Sequence, residues 1–156
     1  MNAIELRTEY LKSPMGIDIT APRIMWTCAG GITQTACEIE AVINGGAPVT
    51  TGKLQTGSMR RDWPFPALQS RDEVLWRVRL WDEKDEPGDW SEARFEIGLL
   101  GKEDWKARWI TGNYTPKTRR NILRAYTGGK AERYPADCFK KAFSAGEIIK
   151  ARLYIT

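Results

Sequence analysis

The sequence predicts an all-β sandwich over residues 1–100, and two observations carry that prediction. Apolar and polar residues alternate with period two in short runs, and turn-forming residues separate those runs. In the first run, Arg23 to Cys28, Ile24, Trp26 and Cys28 share one face while Arg23, Met25 and Thr27 share the other. Gly30-Gly31 then opens a loop. Ala36 to Ile43 alternates more cleanly, with Cys37, Ile39, Ala41 and Ile43 pointing one way and Glu38 and Glu40 the other. Asn44-Gly45-Gly46 ends it with a turn, because Asn and Gly tolerate positive φ. Val49 to Gln55 and Gly57 to Asp62 read as two short strands. Trp63-Pro64-Phe65-Pro66 breaks the ladder, since proline donates no hydrogen bond. In the run from Leu75 to Trp81, Trp76, Val78 and Leu80 face one side, and Leu75, Arg77, Arg79 and Trp81 face the other. Glu86-Pro87-Gly88-Asp89 places Pro and Gly at the central positions of a type II turn. Ala93, Phe95 and Ile97 alternate with Arg94 and Glu96 in the last run.

These runs predict a pairing. With Ala36–Ile43, Val74–Trp81 and Ala93–Ile97 side by side, the outward faces carry Glu38 and Glu40, Arg77 and Arg79, and Arg94 and Glu96. The middle strand is basic and its neighbours supply acids. Cross-strand charge pairs contribute roughly 0.2–1 kcal/mol each, so they set register more than stability. Trp81 and Trp90 share this outer face and are placed to stack on the guanidinium planes.

Composition removes several chemistries. The chain of 156 residues contains no histidine, which excludes a Ser-His-Asp triad and any imidazole-ligated zinc. No cofactor or metal site is expected. The cysteines are Cys28, Cys37 and Cys138, an odd count without a CxxC motif, and read as small apolar residues rather than a disulfide framework. The opening residues lack a basic leader with an apolar run, so no signal peptide is evident and a cytoplasmic location is expected. No apolar stretch approaches the ~20 residues needed to span a bilayer. Charge is uneven: residues 1–100 carry 11 Lys and Arg against 15 Asp and Glu, whereas residues 101–156 carry 13 against 5. That change marks a domain boundary near Gly101.

At this point the order of motifs resembles a known family. Pro22-Arg23-Ile24-Met25-Trp26, Gln34-Thr35-Ala36-Cys37-Glu38-Ile39 and Trp76-Arg77-Val78-Arg79-Leu80-Trp81-Asp82 are similar to the N-terminal region of bacterial α-L-rhamnosidases. So are Trp90-Ser91, Phe95-Glu96-Ile97-Gly98-Leu99-Leu100, Asp104-Trp105, Trp109-Ile110, Phe139-Lys140-Lys141-Ala142-Phe143 and Ala151-Arg152-Leu153-Tyr154-Ile155-Thr156. The stretch from Asn113 to Tyr134 departs from the pattern. The resemblance implies a fibronectin type III-like, immunoglobulin-like sandwich over residues 1–100. Residues 101–156 would be a linker and the incomplete start of a jelly-roll β-sandwich. It also implies that the catalytic unit, an α-helical barrel hydrolysing terminal rhamnose with inversion, lies downstream and is not part of this sequence.

The expected function is therefore that of a non-catalytic accessory module of a rhamnose-releasing glycoside hydrolase, partnered by downstream domains of the same polypeptide. No catalytic residue is nominated. Asp82, Asp85, Asp89 and Asp104 are acids in or near turns, where a carboxylate is ordinarily a solvated cap rather than half of a glycosidase pair. Trp26 and Trp76 read as core. The candidate carbohydrate or interdomain contacts are Trp63, Phe65, Trp105 and Trp109: Trp63 and Phe65 on a proline-stiffened loop, Trp105 and Trp109 just past the first domain. Two alternatives belong to other classes. One is a free-standing interaction module working through a strand edge. The other is a nucleic-acid binder using Lys117, Arg119, Arg120, Arg124, Lys130 and Arg133 with interleaved Tyr114, Tyr126 and Tyr134. No RNP, KH or zinc-knuckle motif accompanies that basic stretch, so no nucleic-acid partner is expected. Neither is a membrane. Ile148, Ile149, Leu153, Tyr154 and Ile155 need covering, which predicts docking of the final segment or self-association through it.

Overall fold

The computed structural model describes residues 1–108, 110 and 139–155. Trp109, Cys138 and the basic stretch at 113–134 lie outside the described residues. Two compact units are present, Met1–Lys106 and Ala107–Thr156.

The first unit is a sandwich of two sheets. One sheet has three strands in the order β1 (Asn2–Thr8), β3 (Arg23–Ala29) and β6 (Arg60–Asp62). The other has five, in the order β2 (Met15–Ile17), β8 (Ser91–Ile97), β7 (Glu73–Trp81), β4 (Ala36–Ile43) and β5 (Val49–Gln55). All pairs are antiparallel except the short β2–β8 contact. This is the all-β sandwich that the alternation predicts, of the immunoglobulin-like class that the resemblance implies.

Strands β4 and β7 pair without interruption from Ala36 opposite Trp81 to Ile43 opposite Val74. The register puts like beside like. Cys37 meets Leu80, Ile39 meets Val78 and Ala41 meets Trp76, all buried, while Glu38 meets Arg79 and Glu40 meets Arg77 on the outer face. A one-residue slip of β4 would turn Glu38 and Glu40 into the core, and a slip of β7 would turn in Arg77 and Arg79, so the inner apolar set fixes the alignment. Ile24, Trp26 and Leu6 from the three-stranded sheet close the core from the other side, with Ile17, Phe95 and Ile97 completing it.

Four local features differ from the sequence expectation. Strands β1 and β2 were not anticipated, because Glu5 at φ 52° and Gly16 at φ 81° interrupt the alternation that identifies a strand. β6 begins at Arg60 rather than Gly57. The 82–89 connection is not a type II turn at Pro87-Gly88. The tight turn lies earlier, where Asp85 at φ 62° donates its backbone N–H to Asp82 O at 3.1 Å. Gly88 is needed for a different reason: a Cβ there would sit 1.8 Å from the Met1 carbonyl oxygen. Finally, the first unit runs past Leu100 to Lys106, because a 3-10 turn at Lys102–Asp104 is tied back to the body. The Ser70 hydroxyl donates to the Asp104 carboxylate, and Arg71 Nη2 donates to the Asp104 carbonyl at 3.1 Å.

In the second unit, residues 139–155 form no strand or helix, and Ile148, Ile149, Leu153 and Ile155 are exposed.

Candidate functional site

The most elaborated surface is the outer face of the five-stranded sheet. Strand β7 sends Arg77 and Arg79 outward two residues apart, and the indole of Trp90, just ahead of β8, lies against both. The Arg77 guanidinium carbon is 4.5 Å from the Trp90 ring centre and that of Arg79 is 4.8 Å. Arg79 also stands 5.0 Å from the Trp81 ring, and Lys53 Nζ on β5 stands 4.9 Å from it. The result is a continuous stack in the order Lys53, Trp81, Arg79, Trp90, Arg77. Each cation has its own acid. Arg77 donates from Nε and Nη2 to Glu40 Oε2 at 2.9 and 2.7 Å, Arg79 does the same to Glu38 Oε2, and Lys53 pairs with Asp85. The expected stacking of Trp81 and Trp90 on arginine is thus present. Both arginines bond to acids of β4, while β8 places Glu92 opposite Arg77 and Glu96 opposite Glu73.

Beside the stack lies an open hollow of about 230 Å³, lined by Val42, Pro48 and Leu75 together with Glu40, Arg77 and Glu92. Glu40 and Arg77 are already bonded to each other there. On this face indoles and cations alternate, and each cation is bonded to an acid of the same domain.

The turn carboxylates behave as caps. Asp82 Oδ1 accepts the backbone N–H groups of Lys84 at 2.9 Å and Glu86 at 3.1 Å, and that bonding, the Glu86 amide foremost, lowers its pKa. Glu83 is lowered by the Ile32 amide and its neighbours. Asp104 is lowered, first by the Ser70 hydroxyl and then by the Gly101 amide at 3.0 Å. A general acid for glycoside cleavage needs the opposite shift.

The nominated aromatics separate. Trp63 is 6% exposed, donates from Nε1 to the Pro66 carbonyl at 3.1 Å, and packs edge-on against Phe65 at 5.1 Å and Phe95 at 5.5 Å. An indole held this way has no open face for a sugar ring, so Trp63 is a core residue and Phe65 its half-buried cover. The loop carries its indole inward instead of presenting it. Trp105 remains partly exposed, at 39%, just after the 3-10 turn. Trp109 lies outside the described residues.

Gln34 was not singled out, although it lies within a quoted motif. It is 5% exposed, accepts from Trp26 Nε1 at 3.0 Å and from Cys28 Sγ at 3.4 Å, and donates from Nε2 to the carbonyls of Thr56 at 2.9 Å and Ser58 at 3.1 Å. One amide thereby joins β3 of one sheet to the connection following β5 of the other. Cys28 and Cys37 are free thiols, and burial raises the pKa of both. They lie on strands of different sheets. Among the described residues, no three His, Cys, Asp or Glu side chains are grouped as a metal site.

Residues 3–101 match the model of the Rha78A-like N-terminal immunoglobulin domain. An alpha-L-rhamnosidase of Formosa agariphila is 28% identical over 96% of this chain, and one of Streptomyces avermitilis is 28% identical over 66% of it. The chain spans 17% and 11% of the length of these two relatives. The crystal structure of the Streptomyces avermitilis alpha-L-rhamnosidase complexed with L-rhamnose superposes with a TM-score of 0.62 at 26% identity, covering 70% of this chain and 12% of that one. From the match over residues 3–101, nearly the whole sandwich, the chain belongs to the family of Rha78A-like N-terminal immunoglobulin domains.

Proposed function

We propose that this chain serves as a non-catalytic accessory domain of an α-L-rhamnosidase, with neighbouring domains of the same polypeptide as its partners. The observation that supports this most is the pairing on its outer face, where Arg77, Arg79 and Lys53 each bond to an acid and each lie on an indole. Groups satisfied in this way maintain a sheet. They are not poised to protonate a leaving group or to activate water. The lowered acids at Asp82, Glu83 and Asp104 support the same reading. Hydrolysis in this account belongs to the remainder of the relatives' length, and this domain contributes a rigid flank.

The test is direct. The purified 156-residue chain, incubated with p-nitrophenyl α-L-rhamnoside, is expected to release no p-nitrophenol above buffer. Turnover that disappears on unfolding the chain would overturn the proposal.

A further inference from the structure

The chain has four asparagines, Asn2, Asn44, Asn113 and Asn121, and only Asn44 precedes a glycine. A following glycine leaves the next backbone nitrogen unhindered by a Cβ. Asn44 and Gly45 are exposed at the β4–β5 connection, with φ of 52° and 70°, and Gly46 N–H donates to the Ile43 carbonyl at 2.9 Å. This is the left-handed hairpin turn that Asn-Gly favours.

The Asn44 side chain is nevertheless tied down. Nδ2 donates to Asp72 Oδ1 at 2.7 Å, and Oδ1 accepts the backbone N–H of Glu73 at 2.9 Å. The Asn44 backbone N–H donates to the Glu73 carbonyl at 2.8 Å. Asp72 is itself positioned by the Gln69 amide, which donates to its Oδ2 at 2.7 Å. Both ends of the carboxamide are thus clasped by the start of β7.

We propose that Asn44 is a deamidation site gated by this clasp. While the clasp holds, the carboxamide carbon is kept from the Gly45 nitrogen; when the turn opens, the two meet. Gly45 N then gives up its proton and bonds to Asn44 Cγ. The Cγ–Nδ2 bond breaks and ammonia departs with a proton. Water next opens one C–N bond of the resulting imide, leaving aspartate or isoaspartate, with no oxidation or reduction. The product cannot rebuild the clasp. A carboxylate has no hydrogen to give Asp72, and two like charges now face each other across the former hydrogen bond. The modification therefore converts the pin between the β4–β5 turn and β7 into a repulsion.

Peptide mapping by mass spectrometry tests this on the whole chain. Folded wild type, urea-unfolded wild type and an Asp72→Ala variant are incubated at mildly alkaline pH, with Asn2 as internal reference. Asn44 is expected to convert at least about fivefold faster in Asp72→Ala than in folded wild type, with the unfolded chain as ceiling. Equal rates in folded and unfolded wild type would overturn the gating, and this arm decides even where Asp72→Ala fails to fold. A faster rate in Asp72→Ala shared equally by Asn2 would also overturn it. The consequence is tested separately: Asn44→Asp and Asn44→Gly both lose the amide donor, but Asn44→Asp is expected to have the lower urea midpoint. Equal midpoints would refute the repulsion.

Discussion

The same device, an arginine bonded to a carboxylate and resting on an aromatic ring, occurs on both sheets but is assembled differently. On the five-stranded sheet, Arg77 and Arg79 meet Glu40 and Glu38 directly across the β4–β7 register, and the indoles fall between them. On the three-stranded sheet, Arg23 is gripped by Glu9 from a turn. Its Nη2 donates to Glu9 Oε2 at 2.6 Å, its backbone N–H donates to Oε1 at 2.6 Å, and its guanidinium lies 5.2 Å from the Tyr10 ring. Glu9 and Tyr10 have φ of 47° and 66° to reach that position. Register builds the first arrangement as a repeating ladder; local backbone strain builds the second once. The ladder spreads its energy over many weak contacts, whereas the clamp concentrates it in one well-covered carboxylate, whose side chain is 12% exposed.

Four substitutions and one double-mutant cycle sharpen that contrast, taken from the largest expected effect downward. Gln34→Leu should cost about 3 kcal/mol, because it strands the Trp26 indole N–H and two carbonyls on the seam between the sheets. A denaturant midpoint close to wild type would show that the seam does not depend on this amide. Trp90→Ala should cost about 2 kcal/mol by removing one ring shared by two guanidiniums. Tyr10→Ala, removing the half-exposed ring of the single clamp, should cost clearly less, and a reversal of that order would break the distinction drawn here.

Glu9→Gln should cost about 1.5 kcal/mol near neutral pH. The Arg23 hydrogen bond foremost lowers the Glu9 pKa, so the folded chain binds that proton more weakly than the unfolded chain does. Its contribution is therefore present above the ordinary glutamate value of about 4.3 and fades as pH falls through the lowered folded value. Urea midpoints across acid pH should converge for wild type and Glu9→Gln; a constant gap would contradict the linkage. Smallest of all, a double-mutant cycle on Glu40 and Arg77 should give about 0.5 kcal/mol, as suits a half-exposed cross-strand pair.

These contrasts also explain what could be read from the residues alone. The pairing of β4 with β7 and the faces of their residues were legible because both alternate strictly; the register that sets Glu38 against Arg79 and Glu40 against Arg77 comes from the structure. The stacking of Trp81 and Trp90 followed from the same parity. The Glu9 clamp was illegible because positive φ at three of six positions from Glu5 to Tyr10 destroys period two. Trp63 misled because the two prolines that follow it suggest an exposed loop, while only the fold reveals that its ring packs against Phe95. Gln34 carried no pattern at all: a single amide shows its worth when four partners from distant positions converge on it.

The outer-face indoles of Trp81 and Trp90 are stacked on the sheet's own guanidiniums, which leaves a ligand no part in holding them. An NMR titration of the 156-residue chain with L-rhamnose, following the indole N–H signals of Trp81 and Trp90, tests this most directly. The signals are expected to stay fixed up to saturating sugar. Saturable shifts at either indole, lost in Trp90→Ala, would contradict the account.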